Sequence, residues 1–264
     1  MTASFVKTMA IHKTKSYLLR KIPLRETSWI ATCLTRSYGK IKGVIKGARQ
    51  EKSKWFGSCE LFTYSNLIYF SKTRTNLHLI TELSLINSHS RLRNYLESIA
   101  HASYFAELVD HFLEEGEAHA DIFDLFHAAI GALEDQPMSC HLIARTFEIK
   151  LLYALGFFPN LTECLGCRGK VFKVIYFSGR QGGIFCESCY EQSQSGFRIS
   201  HGCAQAMQFL ARTDFQRAVT LKLGQQISQE LGTAMRQFLD DRFDKQPKSL
   251  HFISQLKQTY PAYV

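Results

Sequence analysis

The chain has 264 residues, of which 45% are hydrophobic and 21% are charged. Both values are ordinary for globular proteins, so the composition excludes a fibrous chain and a chain that is disordered throughout. The length suffices for two or three compact units, each with a core of its own.

The positive charge is concentrated in the N-terminal third of the chain. Residues 1–80 carry ten Lys and five Arg against three Glu and no Asp, a net charge of +12, whereas the whole chain is only +9. The most basic stretch, SYGKIKGVIKGARQEKSK (37–54), holds six cations and one acid, Glu51. This asymmetry predicts a polyanion bound at the N-terminal end, although a basic surface that serves solubility alone gives the same composition.

The first residues, MTASFVKTMAIHKTKSY, mix Lys and His with apolar residues and contain no apolar core of a secretory signal. Apolar runs such as LLYALGFF (151–158) are far shorter than the roughly 20 residues that cross a bilayer. We therefore expect a cytoplasmic protein without a membrane partner. In that compartment the eight cysteines are expected to be thiols or metal ligands rather than disulfides.

Residues 10–86 have the pattern of short β-strands separated by turns. Five runs are alternating or rich in β-branched and aromatic residues, and they cover 16–22, 27–35, 40–48, 59–71 and 77–86. The second and third runs flank Ser37-Tyr38-Gly39, a short connection typical of a hairpin. Five short strands in about 80 residues favour a small barrel of the oligonucleotide-binding (OB) kind over a sandwich.

The apolar period becomes helical after residue 88. Apolar residues at three- and four-residue spacing predict helices over 92–112, 121–133, 142–155, 200–212 and 225–243. Asp121 and Ser139 stand where N-caps are expected, and Gly156 stands where the third helix stops. The apolar stripes predict a hydrophobic core rather than a cofactor pocket.

Two CxxC pairs form the sharpest motif. CLGC (164–167) and CESC (186–189) are separated by eighteen residues, a spacing typical of a zinc ribbon. Each pair places two thiolates on one side of a tight turn, so the predicted ligands of a structural Zn²⁺ are Cys164, Cys167, Cys186 and Cys189. The insert between the pairs, with glycines at its tip (179–183), predicts a hairpin. The predicted fold class is α+β: an N-terminal OB-fold β-barrel, then an α-helical domain with an inserted four-cysteine zinc ribbon.

A redox-active pair, an iron–sulfur centre, two separate thiol pairs and a vestigial site that no longer binds metal stay open as alternatives to zinc. A redox CxxC usually stands alone near a βαβ pattern, and the common iron–sulfur spacings differ from this one. His201 lies near the ribbon and could replace one thiolate. The other cysteines fall in predicted strands or helices and are expected to be buried apolar residues: Cys33, Cys59, Cys140 and Cys203.

No motif for catalysis is found in the sequence, which has no GxxxxGKS/T, GxSxG or HExxH stretch. A zinc-dependent nucleic-acid enzyme would need an open metal position, and four cysteine ligands leave none. We therefore expect a protein that is not an enzyme.

The order of basic barrel, helical domain and four-cysteine ribbon resembles the RecO family of bacterial recombination mediators. ETSWIATCLTRSYGKIKGVIKGARQEKSK (26–54) is similar to that family's first-domain pattern, and LGFFPNLTECLGC (155–167) with GGIFCESC (182–189) is similar to its zinc-binding segment. The resemblance covers nearly the full chain. It departs at SCELFTYSNL (58–67), where a proline is expected and Glu60-Leu61 stands instead, so the local bend is expected to differ.

The resemblance implies a mediator of DNA repair and homologous recombination. Proteins of this family bind single- and double-stranded DNA, anneal complementary strands coated with the single-stranded-DNA-binding protein SSB, and with RecR help to load RecA. The implied partners are therefore DNA, the acidic C-terminal tail of SSB, RecR and, indirectly, RecA, in the bacterial cytoplasm at the nucleoid. The expected domains are a basic barrel (1–86), a first helical part (87–160), the ribbon (161–196) and a C-terminal helical part (197–264).

The basic stretch supplies the candidate DNA contacts. Lys and Arg neutralise phosphates without regard to sequence, and an OB groove offers rings on which bases stack. The candidate phosphate contacts are Arg36, Lys40, Lys42, Lys46, Arg49, Lys52 and Lys54. The candidate stacking rings are Tyr38 and Trp55, for which simple packing is the alternative. Alternation in KIKGVIK predicts that Lys40, Lys42 and Lys46 share one strand face, with Ile41 and Ile45 toward the core.

A competing hypothesis is a structural adaptor whose barrel and ribbon bind acidic protein tails, with DNA binding secondary. The acidic tail of SSB would be such a ligand, so both interpretations can hold at different sites.

Overall fold

The computed structural model describes residues 10–71, 75–170, 173–193, 196–243 and 245–259. Residues 1–9, which open the segment expected to lack a secretory signal, lie outside the described residues. The chain divides into two compact units, Met1–Glu134 and Asp135–Val264. The division falls within the helical segment 87–160 of the sequence-based scheme, whose four domains stay a prediction.

The first unit contains the predicted five-stranded barrel. Its strands are β1 (Ile11–Leu24), β2 (Ser28–Thr35), β3 (Gly39–Ile45), β4 (Tyr64–Phe70) and β5 (Leu77–Asn87). They close in the order β1-β2-β3-β5-β4, with β1 paired to both β2 and β4 and with β3 parallel to β5. Five strands closed in this way form an OB-like barrel, which confirms the predicted fold of this region.

Alternation along the strands fills the barrel interior with apolar side chains. Ile41 and Ile45 of β3 are buried there, as predicted, together with Cys33 of β2 and Ile80 of β5. Burial raises the pKa of the Cys33 thiol to about 12, so this cysteine is a small apolar core residue at neutral pH.

The fourth strand begins only at Tyr64, although the sequence predicted a strand from residue 59. The residues before it form turns, in which the Thr63 amide donates to the Glu60 carbonyl and the Phe62 amide donates to the Leu18 carbonyl. Phe62 has a φ of 65°, and a left-handed residue ends an extended run. This bend lies at Glu60-Leu61, where a proline is expected.

Two helices complete the first unit, namely α1 (Leu96–Phe112) and α2 (Ala120–Asp135). Both were predicted from the helical period. The ring of Tyr17 in β1 packs against those of Phe123 and Phe126 in α2, with centroids 5.7 and 5.2 Å apart. Asp121 lies in the first turn of α2 rather than at its N-cap. Its negative charge there still stabilises the helix, because it lies near the positive end of the helix dipole.

The second unit combines helices with a small sheet. Its described helices are α3 (Cys140–Ala154), α4 (Glu187–Ser193), α5 (His201–Arg212), α6 (Phe215–Ala218), α7 (Gln225–Asp240) and α8 (Lys248–Thr259). Its strands pair in the order β6-β8-β7-β9 and are β6 (Asn160–Cys164), β7 (Ile175–Ser178), β8 (Gly183–Phe185) and β9 (Phe197–Ile199). The structure confirms helices in the predicted positions of α3, α5 and α7, whereas α4, α6 and α8 were not predicted.

The ribbon hairpin and the helix α7 share one core within the second unit. The rings of Phe177 in β7 and Phe238 in α7 lie 6.3 Å apart. Gly179 approaches α7 so closely that a Cβ there would lie 2.7 Å from the backbone of Gln237. The ribbon is therefore expected to support the helices on which it packs. In the described parts of the chain, no helix combines the length and the apolar character of a membrane span.

Candidate nucleic-acid interface and metal centre

The four predicted metal ligands lie together at one end of the small sheet. Cys164 ends β6, Cys167 follows in a tight turn, Cys186 directly precedes α4, and Cys189 lies in the first turn of α4. Their Sγ atoms all lie within 4.8 Å of one another, and Sγ of Cys186 is 3.8 Å from those of Cys164 and Cys167. Four sulfur atoms around Zn²⁺ at about 2.3 Å stand about 3.8 Å apart in a regular tetrahedron. The thiols therefore fit a tetrahedral metal ion.

Backbone hydrogen bonds and one glycine bring the thiols together. The Cys164 amide donates to the Gly169 carbonyl at 2.9 Å, which forms the first turn, and the Cys186 amide donates to Sγ of Cys164 at 3.4 Å. A Cβ on Gly166 would lie 2.8 Å from Sγ of Cys189, so a larger residue would push the two pairs apart. The exposed His201 begins α5 and is not among the clustered ligands of the described residues.

The four thiols differ in how readily they ionise. Burial opposes ionisation of Cys164, but hydrogen bonds from the backbone of Cys167, Cys186 and Gly166 outweigh it and lower its pKa to about 6. Hydrogen bonding to Cys186 raises the pKa of Cys189 to about 12. Cys164 therefore ionises far more readily than Cys189, and a bound cation is needed before both become thiolate ligands. The remaining cysteines are buried, as predicted: Cys33, Cys59, Cys140 and Cys203.

Three of the seven predicted phosphate contacts pair with acids of the first unit itself. Only 7% of the Lys40 side chain is exposed, and its Nζ donates to the carboxylate of Asp110 at 2.8 Å. Lys42 pairs with Glu115. Arg36 makes two hydrogen bonds to Asp124, of 2.9 and 3.0 Å, and these hydrogen bonds hold the pKa of that carboxyl below its usual value.

An acidic segment, residues 110–117, explains the pairing of Lys40 and Lys42 because it lies along the start of β3. The Gly116 amide donates to the Lys40 carbonyl at 2.9 Å, and a Cβ on Gly39 would lie 1.9 Å from the carbonyl oxygen of Glu117. Of the three lysines predicted to share one strand face and contact phosphates, Lys42 and Lys46 are exposed, whereas Lys40 is covered.

The burial of Lys40 predicts an asymmetry between the two partners of its ion pair. Asp110→Asn should destabilise the first unit by about 2–3 kcal/mol, because it leaves a buried ammonium without a carboxylate. Lys40→Met should cost about 1 kcal/mol, since the partly exposed Asp110 can turn to water and methionine fills the space of the lysine stem. Denaturant unfolding measures both values. Equal losses, or the reverse order, would contradict the burial of this ammonium.

The other four predicted contacts lie on one segment after β3, residues 46–58, which we call the cationic loop. All four side chains are exposed: Lys46, Arg49, Lys52 and Lys54. Within the described part of the chain, the ammonium groups of Lys46 and Lys52 form no ion pair. The Arg49 guanidinium lies 5.2 Å from the ring of Trp29, and Lys54 lies 4.6 Å from that of Trp55. The cationic loop therefore presents positive charge to solvent.

The two predicted stacking rings both make packing contacts, and only Trp55 is buried, so stacking on Tyr38 stays a prediction. Trp55 is 5% exposed, belongs to the barrel core and donates from Nε1 to the Lys46 carbonyl at 3.0 Å. The half-buried Tyr38 packs edge-on against His12 and Tyr69, with centroids 4.7 and 5.9 Å away. Trp55 thus anchors the cationic loop to the barrel instead of offering its face to a ligand.

Sequence reasoning missed Phe56, which lies in the cationic loop and is 92% exposed. The signal that could have found it is the Trp-Phe pair itself. Only Trp55 of this pair is enclosed by the barrel core, and Phe56 remains in solvent.

Comparison with known families gives two matches that together span most of the chain. Residues 9–89 match the family model described as Recombination protein O N terminal, and residues 93–251 match Recombination protein O C terminal. Three relatives named DNA repair protein RecO are similar over nearly their full lengths. The Clostridium novyi protein is 29% identical over 95% of this chain and 96% of its own. The Dehalococcoides mccartyi (strain 195) protein is 32% identical over 93% and 96%, and the Acetivibrio thermocellus protein is 27% identical over 92% and 96%. The chain therefore belongs to the RecO family of DNA repair and recombination proteins.

Proposed function

We propose that the protein is a recombination mediator without catalytic activity and that its barrel binds single- and double-stranded DNA. The observation that carries this proposal is the cationic loop, with four exposed cations on an OB-like barrel. Cations that replace condensed counterions on phosphates provide affinity for DNA of any sequence. Membership of a DNA repair family supports DNA, rather than another polyanion, as the partner.

The finer activity that we propose is the annealing of complementary strands coated with SSB and, with RecR, the loading of RecA. Positive charge on the barrel lowers the repulsion between two strands that approach each other, and this step needs no nucleotide hydrolysis. The acidic tail of SSB would bind the same protein through its own charge. We place this activity in the bacterial cytoplasm, at the nucleoid.

The four-cysteine cluster fits a structural rather than a catalytic role in this proposal. If Zn²⁺ is the resident ion, all four of its positions are taken by Cys164, Cys167, Cys186 and Cys189, and none is left for a substrate. The metal would hold the hairpin of β7 and β8 in the conformation that packs on α7.

Annealing kinetics test the proposal directly. Two complementary oligonucleotides, bare and SSB-coated, are mixed with the protein over a range of salt concentrations and without nucleotide. We expect faster annealing of the coated strands, with a rate that falls as salt increases. DNA binding without annealing would contradict the mediator role. Binding of an acidic peptide without any binding of DNA would favour the adaptor instead.

A further inference from the structure

Phe56 is the most exposed large apolar side chain among the described residues, at 92% of its area. Single exposed apolar residues are common on protein surfaces and do not by themselves indicate a site. Two other properties set Phe56 apart, namely the way its backbone is held and the charges around it in the sequence.

The backbone of Phe56 is fixed by consecutive turns. Its amide donates to the Ser53 carbonyl at 3.2 Å, and the amides of Ser58 and Cys59 both donate to the Trp55 carbonyl, at 3.1 and 3.2 Å. The preceding ring of Trp55 is buried in the barrel core. A ring that is presented from an anchored backbone loses little conformational entropy when it binds a ligand.

The charges of the cationic loop define the ligand that suits this ring. Lys52 and Lys54 precede Phe56 closely, Lys46 and Arg49 lie in the same loop, and Glu51 is the only acid between residues 46 and 58. An apolar partner would leave these cations without a counterpart, and a duplex would offer phosphates but no free base face. Single-stranded DNA combines regularly spaced phosphates with accessible planar bases.

We propose that Phe56 stacks on an unpaired nucleobase of single-stranded DNA while the cations of the cationic loop hold the neighbouring phosphates. This inference rests on the proposed function and deepens it, because it names the residue by which the barrel distinguishes single strands from duplexes. The contribution of the ring depends on the π face of the base and not on charge, so it is independent of salt.

Fluorescence anisotropy with a labelled oligonucleotide and with the duplex of the same length tests this proposal. Phe56→Ala should weaken single-strand binding roughly 5- to 150-fold, with an unchanged salt slope. Its duplex affinity should change less than about two-fold, because the bases of a duplex stay stacked on one another. Phe56→Leu should behave like Phe56→Ala, since leucine keeps apolar area but has no flat face.

Met138→Ala provides the matched control, because Met138 is 76% exposed and lies outside the cationic loop. Its affinity for both DNA forms should equal that of the unaltered protein. Because both side chains are exposed, all variants should fold, and circular dichroism verifies this.

A strand with one abasic position provides a second readout. Within a short oligonucleotide, removal of the stacked base should lower the affinity of the unaltered protein but leave that of Phe56→Ala unchanged.

If the unaltered protein binds single strands and Phe56→Ala binds them equally well, the stacking proposal is wrong and the proposed function stands. If the unaltered protein binds neither DNA form, the proposed function itself fails. The stacking proposal would also be overturned if Phe56→Leu kept the full single-strand affinity, or if Phe56→Ala lost as much affinity for duplex as for single strands.

Discussion

A Cys164→Ser variant is expected to lose its bound metal and much of the stability of its second unit. Structural Zn²⁺ contributes about 10–16 kcal/mol of apparent binding free energy in small zinc domains, so the loss of one ligand should cost on the order of 3–5 kcal/mol. The loss should spread beyond the ribbon, because the hairpin packs Phe177 against Phe238 of α7 and brings Gly179 against Gln237.

Metal analysis and thermal unfolding measure the two parts of this prediction. The unaltered protein should contain one zinc ion per chain, and Cys164→Ser should contain much less and unfold at a lower temperature. The variant should keep the DNA affinity of the barrel, since the cationic loop belongs to the first unit.

Cys203→Ala is the matched control for this experiment. Cys203 is a thiol of the same unit that is fully buried and lies outside the metal cluster. Its replacement should leave the metal content unchanged and cost about 1 kcal/mol, the ordinary effect of a small core truncation. Full metal content in Cys164→Ser, or an equal loss of metal in Cys203→Ala, would contradict the assignment of the ligands. If the purified protein contains iron instead of zinc, iron is the resident ion and the assignment of zinc is wrong.

The parts of the fold that sequence predicted well are those with local physical causes. The alternation in β2 and β3 and the short turn between them predict a hairpin, because strand period and turn chemistry act within a few residues. The two CxxC pairs predict a four-thiol cluster for the same reason, since each pair forms its own turn and the insert is a simple hairpin.

The candidate DNA site could be predicted only in part, because its remaining features depend on residues far apart in the sequence. Lys40 looks like a surface cation until Asp110 and the acidic segment are seen to cover the start of β3. Trp55 looks like a stacking ring until the core of the barrel is seen to enclose it. Charge and aromatic content therefore predict a nucleic-acid site, and the tertiary structure decides which of these side chains reach solvent.

Replacement of Lys46, Lys52 and Lys54 by glutamine is expected to cause the largest loss of DNA binding. If each lysine neutralises one phosphate, the slope of log K against log salt for duplex DNA should become less negative by about 2.7, or about 2.1 for single strands. At 0.1 M salt this corresponds to a loss of affinity of about 10²–10³-fold, the same for all DNA sequences. Titrations of one duplex and one single strand at four or five salt concentrations give both quantities.

The double variant Arg36→Gln and Lys42→Gln is the control, because it removes cations that are close in sequence but already paired with Asp124 and Glu115. Its salt slope should stay near that of the unaltered protein, since a cation held by a carboxylate releases fewer counterions from DNA. The change in salt slope for each cation removed is compared between the control and the triple variant. If the two changes are equal, DNA must displace Asp124 and Glu115 from their partners. In that case the DNA site would extend from the cationic loop across the outer face of β3, and the acidic segment would compete with DNA for it.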